Sequence, residues 1–213
     1  MNTTTTLPPE IETNEEVAYH GYVLTPRSRA VEANEARGTH GIPANFPEPQ
    51  SLEQPKGFPA VTYQYKGKTQ RPPADGQLMS AGLAPYAVLD EPTRPDGTPW
   101  PAMAVTPGGT LQMSWWLTAR HKTELWHYYI TRDGWDQSKP LTRAMLEPLA
   151  TVHWHQDKAT ADWMAPFPTN SVKQWIKLPE GKRGRHIIYC VWDVADTAMA
   201  FYQGVDVDFG GQA

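Results

Sequence analysis

The stretch that decides the fold runs from residue 20 to residue 30 and reads His20-Gly21-Tyr22-Val23-Leu24-Thr25-Pro26-Arg27-Ser28-Arg29-Ala30. Its start, Gly21 to Leu24, predicts a first short strand that ends at Pro26, because proline has no backbone N–H to give to a sheet. A distant stretch, Thr118-Ala119-Arg120-His121, ends another predicted strand, from which His121 can reach His20. If His20 begins the mature chain, its α-amino group and imidazole offer two nitrogen ligands, and His121 completes a T-shaped set of three. Near-planar ligation by nitrogen alone suits Cu(II).

Further segments of recognisable sequence follow in a fixed order along the chain. They are Glu48–Glu53, Lys56–Pro59, Ala74–Gly76, Leu117–His121, Tyr129–Thr131, Lys139–Arg143 and Val191–Tyr202. Together with the His-Gly-Tyr-Val and Pro-x-Ser-Arg-Ala of the first stretch, they resemble the bacterial lytic polysaccharide monooxygenases of the chitin-binding-protein type, in auxiliary-activity family ten. The resemblance covers residues 20 to about 209, and so many segments in one register argue against a chance match.

The resemblance implies an all-β fold, a fibronectin-III/immunoglobulin-like β-sandwich with a long loop and short-helix excursion after the first strand. Composition agrees, since 21 prolines and 16 glycines among 213 residues indicate many turns. β-forming patterns predict strands over 110–118, 126–130, 171–177, 186–193 and 200–208, and residues 141–146 predict a short helix. Residues 27 to about 105 carry many prolines, and the sequence alone allows either disorder or an ordered excursion held by its apolar residues.

Charge and cysteine content exclude several classes of function. The net charge of −4 provides no basic field for a phosphate backbone, so we expect no nucleic-acid partner. An apolar run long enough to span a membrane is absent from the sequence. Cys190 is the only cysteine, so no intramolecular disulfide can form, and its apolar neighbours predict a buried, inert thiol.

Residues 1–19 differ in composition from the rest of the chain. They contain four consecutive threonines, two prolines and four glutamates, without the basic start and apolar run of a secretory signal. We therefore expect a disordered polar leader that is absent from the mature protein, followed by a single domain over residues 20–213. The resemblance implies a secreted protein, exported by a route that the sequence does not reveal.

Seven histidines are available for metal binding. From the residues alone, His153 and His155 form a candidate pair, because positions i and i+2 of a strand share a face. The alternative, a solvated strand or loop with Trp154 turned inward, is favoured. The same structural interpretation applies to the other histidines outside the resemblance, at positions 40, 127 and 186.

The resemblance assigns the site residues. It implies that His20 and His121 bind one copper ion, with Phe201 on the axial side, although Phe201 is equally compatible with a core position. Glu53 corresponds to an acid near the oxygen co-substrate. The remaining neighbours of the metal are Thr118, Ala119, Arg120 and Asp196, and an ordinary salt bridge is an alternative for the last two. The expected substrate-binding residues are Phe46, Pro47, Glu48, Gln50 and Glu53.

The reaction that the resemblance implies is oxidation at C1 or C4 of a glycosidic bond in an insoluble β-1,4-glycan, with chitin favoured. It requires one copper ion, an external electron donor, and dioxygen or hydrogen peroxide, and it is expected of a monomer. The alternative is a non-catalytic chitin- or glycan-binding protein, or a virulence-enhancing factor, on the same fold. In that case the leader stays attached and His20 never becomes a terminus.

Overall fold

The computed structural model describes residues 20–118, 121–153 and 170–211. Within these ranges the chain forms one α-helix, α1 (Arg29–Glu35), three 3₁₀-helices (Pro49–Ser51, Ala84–Asp90 and Arg143–Met145) and eleven strands. The strands are β1 (Gly21–Thr25), β2 (Glu53–Pro55), β3 (Tyr63–Tyr65), β4 (Lys68–Gln70), β5 (Met103–Ala104), β6 (Thr110–Leu117), β7 (Thr123–Thr131), β8 (Leu146–His153), β9 (Ser171–Lys177), β10 (Arg185–Val194) and β11 (Met199–Asp208).

Two packed sheets form the body of the molecule. The smaller has the order β1-β6-β9, and the larger has the order β2-β11-β10-β7-β8, with β5 pairing in parallel with β11. All other pairs in both sheets are antiparallel. A separate hairpin joins β3 and β4. The predicted all-β sandwich is confirmed.

The first hydrophobic core fills the space between the two sheets. Strand β9 shows the pattern clearly, because Val172, Gln174 and Ile176 are buried whereas Lys173 and Trp175 are exposed. The largest side chains of this core are the fully buried tryptophans Trp115, Trp126 and Trp192. The alternation that predicted these strands therefore reflects a sheet with one buried face and one open face.

A second core lies on the other face of the large sheet. Strand β10 is buried on both sides, with Trp192 and Cys190 facing the small sheet and Tyr189 and Val191 facing the excursion. The excursion packs apolar side chains such as Phe58 against that face. The excursion between β1 and β6 is therefore ordered, because the apolar residues spread among its prolines share one buried core.

The first stretch of sequence anchors the excursion to the sandwich. The Ser28 hydroxyl caps α1 by accepting a hydrogen bond from the Val31 N–H. The buried Arg29 guanidinium donates to both carboxylate oxygens of Asp206, at 2.6 and 3.0 Å, and to the carbonyls of Leu89 and Glu91, both at 3.0 Å. One side chain thus joins α1, the 84–90 helix and β11.

Two local predictions meet different outcomes. The helix predicted over 141–146 is wrong in extent, because only Arg143–Met145 is helical and Leu146 already begins β8. The inert thiol is confirmed: Cys190 is fully buried, and burial raises the pKa of its thiol well above the ordinary value. Across the described ranges, no helix is long and apolar enough to cross a membrane.

Candidate metal centre

Strand ends hold His20 in place. Its backbone carbonyl accepts hydrogen bonds from the Thr118 N–H at 2.8 Å and from the Thr118 hydroxyl at 3.0 Å. The next residue has to be glycine, since a Cβ on Gly21 would lie 2.8 Å from the ring of Trp192. This close approach brings His20 to the end of the sandwich core, beside the last residues of β6.

His121 lies at the same end of the sandwich, just before β7. It is 6% exposed, and its ring lies 5.9 Å from the ring of Trp192. Trp192 is itself fixed, because its indole N–H donates to the Thr123 hydroxyl at 2.9 Å. On its other side, the His121 Nδ1 lies 3.9 Å from a carboxylate oxygen of Asp196. Packing and an acidic neighbour therefore set the orientation of this imidazole.

Phe201 brings the two histidines together. Its ring centroid lies 5.9 Å from that of His20 and 5.8 Å from that of His121. The ring is fully buried and stacks on Trp192 at 5.0 Å. Glu53 of β2 is directly opposite Phe201 in the strand register, so the two side chains share one face of the sheet. The structure thus gathers four predicted residues, His20, His121, Phe201 and Glu53, at one end of the sandwich.

The imidazole of His20 has the properties of a metal ligand. Burial lowers its pKa, and a hydrogen bond with the Gln50 backbone opposes this only in part, so the neutral ring is favoured. The buried Nδ1 has no hydrogen-bond partner within the described ranges. Because a buried polar atom without a partner is costly, this atom fits a metal.

The described side chains do not complete a metal site by themselves. Among them, no group of three or more histidine, cysteine, aspartate or glutamate residues is placed to hold a metal ion. Two imidazoles, those of His20 and His121, lie together there against the ring of Phe201. Burial raises the pKa of the Glu53 carboxyl, so this group holds a proton more readily than an exposed glutamate.

The predicted substrate-binding segment is only partly exposed. Glu48 is exposed and pairs with Arg37 at 2.8 Å, and Pro47 and Gln50 are half-buried. Phe46, in contrast, is 2% exposed and packs edge-on against Tyr86 at 5.4 Å. The prediction that Phe46 contacts substrate is wrong, because its ring belongs to the second core.

The other predicted residues divide into two groups. Ala119, Arg120, His155 and the leader 1–19 lie outside the described residues. The described histidines away from the site have local roles, as expected: His40 pairs with Asp96 at 2.7 Å, and His186 is hydrogen-bonded to Thr131. His153 ends β8 as an exposed residue.

Two residues that matter for the site were not predicted. Trp192 contacts Gly21, His121 and Phe201, and Thr123 fixes its indole. The signal for Trp192 was present in the Val191–Tyr202 segment, but an alternating strand does not show which inward residue lies at the end of the core. Two cavities of about 230 and 350 Å³ lie elsewhere, beside Trp135 and beside Met103.

Relatives of known name match this chain over most of its length. A lytic chitin monooxygenase of Enterococcus faecalis is 37% identical over 192 residues, which cover 89% of this chain and 84% of that protein. A GlcNAc-binding protein A of Shewanella oneidensis is 34% identical, with 91% of this chain covered but only 36% of that protein. The chain therefore spans most of the first relative and about a third of the second.

Solved structures agree with the sequence comparisons. The AA10 lytic polysaccharide monooxygenase from Streptomyces lividans is 39% identical, with a TM-score of 0.74, and the match covers 89% of this chain and 100% of that one. A Bacillus amyloliquefaciens CBM33 in complex with Cu(I) is 34% identical, with a TM-score of 0.70, and the match covers 89% of this chain and 99% of that one. The family model described as "Lytic polysaccharide mono-oxygenase, cellulose-degrading" matches residues 20–207. The chain belongs to the AA10 family of lytic polysaccharide monooxygenases, the enzymes that cleave polysaccharides oxidatively.

Proposed function

We propose that this monooxygenase acts on chitin and that one copper ion bound by His20 and His121 carries the reaction. The observation that supports this most directly is the buried Nδ1 of His20, which has no hydrogen-bond partner among the described residues and belongs to a ring packed on Phe201 beside His121. A neutral, oriented imidazole of this kind is the usual form of a histidine ligand. The two imidazoles and the His20 α-amine form the nitrogen-only set that suits copper.

The third nitrogen ligand, the His20 α-amine, makes removal of the leader, residues 1–19, part of the proposal. In the full-length chain the nitrogen of His20 belongs to the peptide bond with Tyr19, where its lone pair is delocalised and does not bind a metal as an amine does. Removal of residues 1–19 creates a free α-amine with a pKa of about 7.7 to 8.0, which loses its proton readily to a metal. The family match begins at residue 20, which supports a catalytic domain that starts at His20.

Each neighbouring side chain has a task in this proposal. When bound, copper supplies one-electron transfer from an external donor and activation of dioxygen or hydrogen peroxide. The apolar ring of Phe201 keeps polar side chains away from one side of the two imidazoles. The Asp196 carboxylate, 3.9 Å from the His121 Nδ1, helps to orient this imidazole. Burial raises the pKa of the Glu53 carboxyl, which favours a role for this group in proton transfer within the site.

Chitin is the substrate that the comparisons favour. The family description names cellulose, whereas the relative of which this chain covers 84% is a lytic chitin monooxygenase, and the other relative is a GlcNAc-binding protein A. We give more weight to the relatives, because their names describe individual proteins and the family description covers many. An insoluble substrate of this kind implies that the enzyme acts outside the cell, and we propose that it does so as a monomer.

The test compares three proteins: the chain that starts at His20, the full-length chain, and the His121→Ala variant of the His20 form. Calorimetry should show tight Cu(II) binding only to the first, because each of the others lacks one of three nitrogen ligands. With a reductant, the first should release oxidised oligosaccharides from β-chitin and fewer from cellulose. Unchanged copper affinity in the His121→Ala variant would contradict the ligand assignment. Oxidised products from cellulose but none from chitin would contradict the substrate.

A further inference from the structure

The outer face of the small sheet carries aromatic side chains that neither core uses. On β6, Trp116 is 38% exposed, and on β9, Trp175 is 66% exposed. A tryptophan is rarely so exposed, because burying it contributes more than burying almost any other side chain. Tyr22 of β1 is directly opposite Trp116 in the register, so it lies on the same face. We call Tyr22, Trp116 and Trp175 the aromatic row.

The aromatic row follows the sheet away from the metal centre. Gln112 of β6 is opposite Trp175, and Gln112 and Trp116 are four residues apart, or about 13 Å along a strand. The row starts two residues after His20. At that end, β1 contacts the Pro49–Ser51 helix, which places the row beside the Glu48–Glu53 segment. The row is therefore continuous with the proposed substrate surface.

Polar side chains lie between the Tyr22–Trp116 pair and Trp175. The Gln112 amide donates to the Ser114 hydroxyl at 2.8 Å, and Ser114 is opposite the exposed Lys173. Ser171 is opposite Trp116. A contact surface for another protein usually has a contiguous apolar centre, whereas here hydrogen-bonding groups divide the Tyr22–Trp116 pair from Trp175. A glycan has the matching chemistry, because each sugar ring has an apolar C–H face and a rim of hydroxyl groups.

We propose that the aromatic row binds a β-1,4-glycan chain and extends the enzyme's contact with the polysaccharide from the metal centre onto the side of the small sheet. The occupant is the polysaccharide of the proposed function, and in that respect the inference depends on it. Tyr22 and Trp116 stack on sugar rings near the metal centre, and Trp175 stacks on a ring farther along the same chain. Gln112 and Lys173 donate hydrogen bonds to hydroxyl or acetamido oxygens between them.

The experiment measures binding of the full-length chain to β-chitin and to cellulose, in buffer with a chelator, by depletion of protein from solution. These conditions remove any dependence on copper or on the free α-amine. Trp175→Ala should raise the dissociation constant at least about fivefold, in keeping with the loss of an aromatic anchor. Trp175→Phe should stay within about twofold of the parent, because it keeps a ring. Val61→Ala is the matched control, since Val61 is also 66% exposed but lies outside the row.

Each outcome is decisive. Unchanged binding in Trp175→Ala overturns the aromatic row as a glycan site and leaves the proposed function standing. Equal losses in Trp175→Ala and Val61→Ala also overturn it. If the parent binds cellulose but not chitin, the proposed substrate is wrong, and the same variants decide the row on cellulose. If the parent protein binds neither glycan, the aromatic row is not a glycan site. The same conclusion follows if Trp175→Ala changes only the self-association of the protein, measured by sedimentation, and not its binding to glycan.

Discussion

The Phe201→Ala substitution tests whether one buried ring organises both histidines. Phe201 is completely buried and stacks on Trp192 at 5.0 Å. Truncation of such a residue costs about 3–5 kcal/mol, because transfer free energy is lost and a cavity remains. In a chain of this size, each kcal/mol lowers the melting temperature by about 2–4 °C, so the variant should melt roughly 6–20 °C lower. The variant should remain folded at room temperature.

The effect on the site is expected to exceed the effect on the fold. The rings of His20 and His121 lie 5.9 and 5.8 Å from Phe201, so its loss leaves both imidazoles without their shared support. Loss of a group that orients metal ligands typically lowers affinity about 10- to 100-fold, and we expect a decrease of that size for Cu(II). Calorimetry on the form that starts at His20 measures it, with the unfolding temperature recorded on the same samples.

Phe209→Ala provides the matched control. Phe209 is 6% exposed, belongs to the same core, and contacts His186 at the opposite end of the sandwich. It should show a similar loss of stability with copper affinity close to that of the parent. Equal losses of affinity in the two variants would mean that copper binding follows global stability. Unchanged affinity in Phe201→Ala would mean that the histidines are oriented without the ring.

Two further substitutions test charge and protonation. Glu53→Gln keeps the size of the side chain but removes its acidic proton, so oxidation of β-chitin should slow by about 10²-fold while copper affinity stays unchanged; unchanged activity would refute a role in proton transfer. Asp193→Asn tests the buried carboxyl 3.7 Å from His127, whose pKa is raised to about 7, chiefly by burial. Because the folded protein holds this proton between about pH 4 and 7 and the unfolded chain does not, stability conferred at low pH is lost as pH rises through that range. The melting temperature of the parent should therefore fall more steeply over pH 4–7 than that of Asp193→Asn, and parallel curves would contradict the assignment.

The prediction of strands succeeded for β9, where side chains alternate between core and solvent, and failed for β8, where a proline interrupts the pattern. The alternation in Ser171–Lys177 predicted β9 to the residue, because solvent lies on one side and the core on the other. Strand β8 was not predicted, since Pro148 interrupts it and its pattern does not alternate cleanly. In the described residues β8 is the outer strand of the large sheet. A proline is tolerated in such a strand, because one of its sides has no neighbouring strand that needs a backbone N–H donor.

The prediction of the site residues relied on the order of recognised segments along the chain. This order does not show which side chains are buried. His20 and His121 were identified because their segments occur in the order of a known family, and the structure packs both against Phe201. Phe46 was expected on the surface for the same reason, but Tyr86, far along the excursion, covers it. Whether an aromatic in a proline-rich segment is exposed depends on which distant residue packs against it, and local sequence carries no signal for that.

Contacts with the sandwich fix both histidines of the site. Both histidines lie outside strands, where side chains are usually mobile. Each is nevertheless tied to the sandwich: His20 through two hydrogen bonds from Thr118, the residue after β6, and His121 through Trp192. Trp192 is an inner residue of β10, and the Thr123 hydroxyl at the start of β7 holds its indole. A shift of either histidine would therefore disturb the packing at the end of the sandwich core. This packing stabilises the spacing of the two imidazoles in the absence of metal.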